Sequence, residues 1–138
     1  MLAGLCFRAL VALSLLCVYV YGNILVGGFQ RDDPSDPEVV KAATLAVNGF
    51  NQQSNEEYEY KLMKIVSAES QVVAGIRYVL NVEMGRTDCK RVSASEKGPC
   101  DFIQDSKLAK TLLCTFTILD VPWENEESLL SSSCKAQE

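Results

Sequence analysis

Three short segments concentrate the residues that could meet another molecule: Leu25-Val26-Gly27-Gly28 near the start, Gln71-Val72-Val73-Ala74-Gly75 in the middle and Pro122-Trp123 near the end. What they offer is apolar surface on a slim backbone. Val72 and Val73 can dry a wall they press against, Ala74 and Gly75 let the chain enter a narrow space, and Gln71 can fix the turn by side-chain hydrogen bonding. Trp123 is the only tryptophan; it follows Pro122, which disfavours a central strand, and precedes the solvated run Glu124-Asn125-Glu126-Glu127. A tryptophan in so polar a turn is expected to be exposed, where truncation costs a partner about 2 kcal/mol or more. Taken singly, the pentapeptide is equally a hairpin turn with two core valines, the tryptophan a core aromatic, and the first segment a loose terminus.

Composition removes most catalytic chemistry. The chain has no histidine, so Ser-His and Cys-His nucleophilic pairs and histidine-ligated zinc are impossible. Cys89, Cys100, Cys114 and Cys134 lack the close C-x-x-C spacing of thiolate zinc sites. A hydrolase using two carboxylates is left open by composition, although the acidic residues fall in solvated clusters rather than inside apolar strands. The formal net charge of −5 argues against nucleic acid and anionic membrane as partners, which both need clustered positive charge.

The elements that must position these segments begin after residue 22. Arg8 followed by an apolar run from Ala9 to Val20 reads as a secretory signal peptide, its apolar core shorter than the roughly 20 residues of a spanning helix. Val20 and Gly22 suit a cleavage site and place the mature start at Asn23. Removing 22 of 138 residues leaves 116, enough for one domain with a modest core. It also removes Cys6 and Cys17, leaving four cysteines, an even count that reads as two disulfides in a secreted protein. Three pairings are open to them.

Residues 23–33 show no period and read as an extended, mobile arm. Asp36-Pro37-Glu38 is a helix start: Asp36 caps, Pro37 suits the first turn and Glu38 complements the dipole. Val39, Ala43, Ala46, Val47 and Phe50 then form an apolar stripe about three turns long. Late in it sits Gly49, which the close approach of a strand would explain. The helix is expected to fray into a polar loop from Asn51 to Asn55. Tyr58 to Ser67 reads as a strand with imperfect alternation, whereas Ile76, Tyr78, Leu80, Val82 and Met84 alternate cleanly with Arg77, Asn81 and Glu83. Lys110 to Leu119 alternates again, with Leu112, Cys114, Phe116 and Ile118 on one side. A weaker strand from about Ser128 to Lys135 completes an α+β domain, an antiparallel sheet on a single helix.

With the three segments and four cysteines in this order, the chain after residue 22 resembles the secreted, type 2 cystatins, inhibitors of papain-like cysteine proteases. The resemblance implies a five-stranded antiparallel sheet, one strand preceding the helix, wrapped around one long α-helix, and the pairings Cys89–Cys100 and Cys114–Cys134. It implies that the arm and two hairpin loops fill a protease cleft, with Leu25, Val26, Gly27, Gln71, Val72, Val73, Ala74, Gly75, Pro122 and Trp123 as contacts. Leu25 and Val26 would then occupy non-primed subsites, and Gly27 would let the chain bend away from the nucleophile. Cathepsins are the partners it implies, engaged by a secreted, extracellular monomer without cofactor, metal or catalytic residue of its own. Some secreted cystatins also inhibit legumain through an asparagine in a Ser-Asn-Asp loop after the helix. Asn55, in Ser54-Asn55-Glu56, matches that asparagine, with Glu56 in place of the aspartate. Because fold does not fix function, a non-inhibitory extracellular binding protein on the same scaffold is the alternative.

Overall fold

The computed structural model describes residues 4, 6–14, 27–91 and 99–137. Leu25, Val26 and the expected cleavage site after Gly22 lie outside them. Residues 6–14, within the expected signal peptide, are helical and exposed, Phe7, Leu10 and Leu13 included.

The helix, α1, spans Pro37–Gln53. It starts as the sequence predicts: the Asp36 carboxylate accepts the Glu38 N–H at 2.9 Å, and Pro37 opens the first turn. Its buried stripe is Val39, Ala42, Ala43, Ala46 and Val47, so Ala42 joins the expected set. Three alanines keep the helix slim enough to lie close on the sheet. Phe50 completes the contact by setting its ring edge-on to Tyr60, at 5.6 Å, and to Phe116, at 6.5 Å. The expected fraying at Asn51 does not occur. Asn51 is held by two hydrogen bonds to the Tyr60 backbone, donating to its carbonyl at 2.9 Å and accepting its N–H at 2.8 Å. That anchor carries the helix to Gln53, 17 residues and nearly five turns in all.

Five antiparallel strands follow in sequence order across one sheet: β1 (Gln30–Asp32), β2 (Tyr58–Val73), β3 (Gly75–Lys90), β4 (Thr111–Val121) and β5 (Glu126–Gln137). The arm is therefore not extended coil throughout; the strand implied by resemblance is present, pairing Gln30 with Ser70 and Asp32 with Ala68. β2 runs beyond the expected Ser67 to Val73. Its broken alternation comes from register shifts between Tyr58 and Tyr60, Leu62 and Lys64, and Ile65 and Ser67. The second and third each insert one residue in β2, flipping its side-chain phase and adding twist, whereas the first places its extra residues on β3. The sheet so curved reaches round the helix, which touches β2, β3, β4 and β5.

Between them lies the core: Leu80, Val82 and Met84 from β3 meet Leu112, Cys114, Phe116 and Ile118 from β4 and the alanine face of α1. Disulfides join Cys89 to Cys100 and Cys114 to Cys134. The first closes the excursion between β3 and β4, and the second ties β4 to the exposed edge strand β5. Gly49 has the reason expected of it: a Cβ there would stand 2.9 Å from Leu129 Cδ2 of β5.

Candidate functional site

Pairing of Val73 with Gly75 leaves Ala74 alone at the tip of the β2–β3 turn. So tight a reversal needs a backbone that most residues do not adopt, and Gly75 supplies it at φ +132°. Gly75 is also closely covered: a Cβ built on it would stand 2.6 Å from the Asp120 carbonyl oxygen and 3.2 Å from Val121 Cγ2. Glycine here therefore seats the end of β4 against the turn. Outside that seat Val72 and Val73 stand clear, 72% and 39% exposed.

Because Ile76 pairs with Asp120, the turn after β4 emerges at the same end of the sheet. Pro122–Glu124 forms one turn of 3-10 helix, and Asn125, at φ 52°, closes it by donating its N–H to the Pro122 carbonyl at 3.2 Å. Asparagine tolerates this left-handed conformation better than most side chains. The consequence is an exposed Pro122 beside a Trp123 that is 69% exposed, as its polar flanks predict.

The arm completes the edge. Gln71 was expected to fix its own turn; instead its Nε2 donates to the Gly27 carbonyl at 2.7 Å, across 44 residues of sequence. Gly27 lies so close to the loop that a Cβ would stand 2.8 Å from the Val72 carbonyl oxygen. Gly27, the Gln71–Gly75 turn and the Pro122-Trp123 turn are thus brought together, and Leu25 and Val26 are the residues immediately before Gly27.

The charge around this edge is acidic, but the expected cluster is smaller than it looks in sequence. Glu124 and Glu126 are exposed, whereas Glu127 is partly buried in an ion pair with Lys41 of α1. That contact draws the Lys41 ammonium above its ordinary range, by hydrogen bonding first and charge second. Beneath the turns, burial and then the carboxylates of Asp120, Glu38, Asp32 and Asp36 raise the Tyr78 phenol above its ordinary value. No group of three or more histidine, cysteine, aspartate or glutamate residues among those described is placed to hold a metal ion.

Asn55 is not part of this edge. It lies at the opposite end of β2, where Tyr58 pairs with Lys90, about 50 Å of strand away. Asn55 itself is exposed, between a Ser54 hydroxyl that accepts the Glu56 N–H at 3.1 Å and a Glu56 carboxylate that meets Lys110 at 3.3 Å and Arg86 at 3.8 Å. Tyr60 donates its hydroxyl to the same carboxylate at 3.5 Å. Sequence reading passed over Arg86 and Lys110, because nothing local links them to residue 56.

Residues 27–123 match the family model described as "Cystatin domain". Among curated proteins, Cystatin-2 of Crotalus adamanteus is 37% identical over 134 residues, covering 97% of this chain and 98% of its own. Cystatin-C of Rattus norvegicus is 40% identical over 111 residues, covering 80% and 79%. Among solved structures, dimeric human cystatin F superposes with a TM-score of 0.75 at 32% identity, covering 82% of this chain and 90% of that one.

Proposed function

The chain belongs to the cystatin family, known for inhibition of cysteine proteases, with type 2 cystatins among its relatives, and from this premise we propose that it is a tight-binding, reversible inhibitor of papain-like cysteine proteases, cathepsins among them. The observation that carries the proposal is the edge itself: Gly27, Val72, Val73, Pro122 and Trp123 side by side, with apolar side chains held out in water on turns fixed by the backbone. Exposed apolar surface has a cost unless a partner covers it. A preformed edge loses little conformational entropy on binding, so its burial converts to affinity efficiently.

In this reading Leu25 and Val26 lead the arm into the non-primed side of the cleft. Val72 and Val73 dry its wall, Ala74 keeps the tip slim, and the exposed Pro122 and Trp123 cover the rest of it. The chain needs no cofactor and no reactive group of its own, since it blocks the cleft rather than reacting in it. It reaches its targets as a secreted monomer after loss of residues 1–22, a leader whose exposed apolar helix has no role in the domain core.

A second site rests on a separate observation. Asn55 is exposed on a loop pinned by Ser54 and Glu56, at the far end of β2, which suits asparagine-specific capture by legumain. The two sites are separable by mutation. Trp123→Ala should weaken inhibition of papain and leave that of legumain intact, and Asn55→Ala should do the reverse. Equal effects of either variant on both enzymes would defeat the two-site reading. A folded protein that inhibits neither enzyme would instead favour the binding-scaffold alternative.

A further inference from the structure

We infer that Gln71 is a positioning residue whose task is to dock the N-terminal arm, an inference that rests on the inhibitor reading above. Three observations converge on it. The Gln71 amide donates an N–H to the Gly27 carbonyl, 2.7 Å away, outside its own turn. Gly27 lies against the Val72 carbonyl, where a Cβ would stand at 2.8 Å, while a Cβ at Gly28 would meet nothing within 4 Å. Three residues on, Gln30 pairs with Ser70 of β2. The arm is therefore clamped at two points along the edge of β2, and Gly27 is the outermost of them among the described residues.

The physical consequence concerns the arm at Gly27 and Gly28. A free terminus surrenders its backbone freedom on binding, whereas one leaving a fixed point beside Val72 has surrendered part of it beforehand. Gln71 thus aids binding through the arm, and Gly27 is needed for close packing on the loop as well as for its freedom to bend. A glutamate at position 71 would keep size and shape but present an oxygen where a donor is needed.

A double-mutant comparison on the secreted, disulfide-bonded protein tests this. Inhibition constants for papain are measured for the wild type, Gln71→Ala, a version lacking the residues up to Gly28, and the combination. Loss of one hydrogen bond should weaken inhibition about fivefold with the arm present. The same substitution should have no effect once the arm is gone, and Gln71→Glu should behave like Gln71→Ala. Equal weakening in both backgrounds would mean that Gln71 acts on the protease directly, and no weakening in either would mean that it is idle; both overturn the inference.

A readout without protease keeps the inference separate from the inhibitor reading. The amide order parameter of Gly27 should be near the rigid value of about 0.85 in the wild type and fall below about 0.6 in Gln71→Ala. In Gly27→Ala the neighbouring Gly28 amide should loosen likewise, whereas Gly28→Ala should leave Gly27 ordered. An unchanged order parameter in Gln71→Ala overturns the docking role even if the protein proves a potent inhibitor.

Discussion

The two ends of β2 are stabilised in opposite ways. At the Val73–Gly75 end the geometry is set by backbone: Gly75 at φ +132° under the Asp120 carbonyl, a 3-10 turn closed by Asn125, and a glycine packed on Val72. The side chains of Val72, Val73, Pro122 and Trp123 are left over there, apolar and exposed beside the acidic Glu124 and Glu126. At the Tyr58 end the geometry is set by side chains: Asn51 on the Tyr60 backbone, Glu56 between Arg86 and Lys110, and the Cys89–Cys100 bridge. Much of what remains exposed there, Asn55 foremost, is polar, with Leu108 as an apolar exception. The difference teaches how a small domain keeps apolar residues available: turns that need no help from their side chains can give those side chains to a partner. Gln71, bonded to the Gly27 carbonyl, and Glu127, paired with Lys41, are exceptions at the first end.

The sharpest way to break the comparison is Gly75→Ala. With a positive φ and a backbone oxygen in the space of the new methyl group, the variant should lose at least about 2 kcal/mol of stability. It should also inhibit papain more than tenfold less well. Urea unfolding and an inhibition constant check the two effects; an unchanged unfolding midpoint would show that the turn is not held by its backbone. Next comes Trp123→Ala, which should cost about 2 kcal/mol of binding, roughly thirtyfold in the inhibition constant. Its stability should match the wild type, because the ring is mostly in water. A fall in unfolding midpoint as large as the fall in affinity would mean that Trp123 serves the fold.

At the other end the expected pattern inverts. Glu56→Gln should lower stability by about 1 kcal/mol, since it removes the charge shared by two half-buried cations, while papain inhibition stays as it was. Weaker papain inhibition in that variant would show the ends to be coupled. The smallest effect belongs to Tyr78. Its phenol is raised above 10.0 by burial and by neighbouring carboxylates, so the folded state holds the proton more tightly than the unfolded state does. The stability this contributes is complete below pH 10 and is lost as pH rises through the folded-state value. Tyr78→Phe should therefore flatten the alkaline fall in stability relative to the wild type, and a parallel fall in both proteins would refute the assignment.

How much of this was legible depended on how local each cause is. Ile76 to Met84 and Leu112 to Ile118 declare themselves because one face of each strand is buried along its length. Asp36-Pro37-Glu38 marks the helix start because capping is settled within three residues. Tyr58 to Val73 was blurred by bulges that flip its phase, and Gln30–Asp32 was too short to show a period at all. The end of the helix was misplaced because Asn51 looks like a loop residue until Tyr60 is seen beside it. The three segments were readable as motifs, but their adjacency followed only from the family resemblance, since no local cause links residues so far apart in sequence. Gln71 was expected to fix its turn because its partner, Gly27, is remote in sequence, and Glu127 was counted with the solvated acids because Lys41 lies on another element.

The central claim is that the Val72–Trp123 edge closes the cleft of a papain-like protease. Its most direct test is titration of papain activity with the folded, oxidised protein at enzyme concentrations well above the dissociation constant. The account predicts a linear loss of activity that reaches its end at one inhibitor per active site and recovers on dilution with excess substrate. Full papain activity in the presence of a stoichiometric excess of demonstrably folded, disulfide-bonded protein would contradict it.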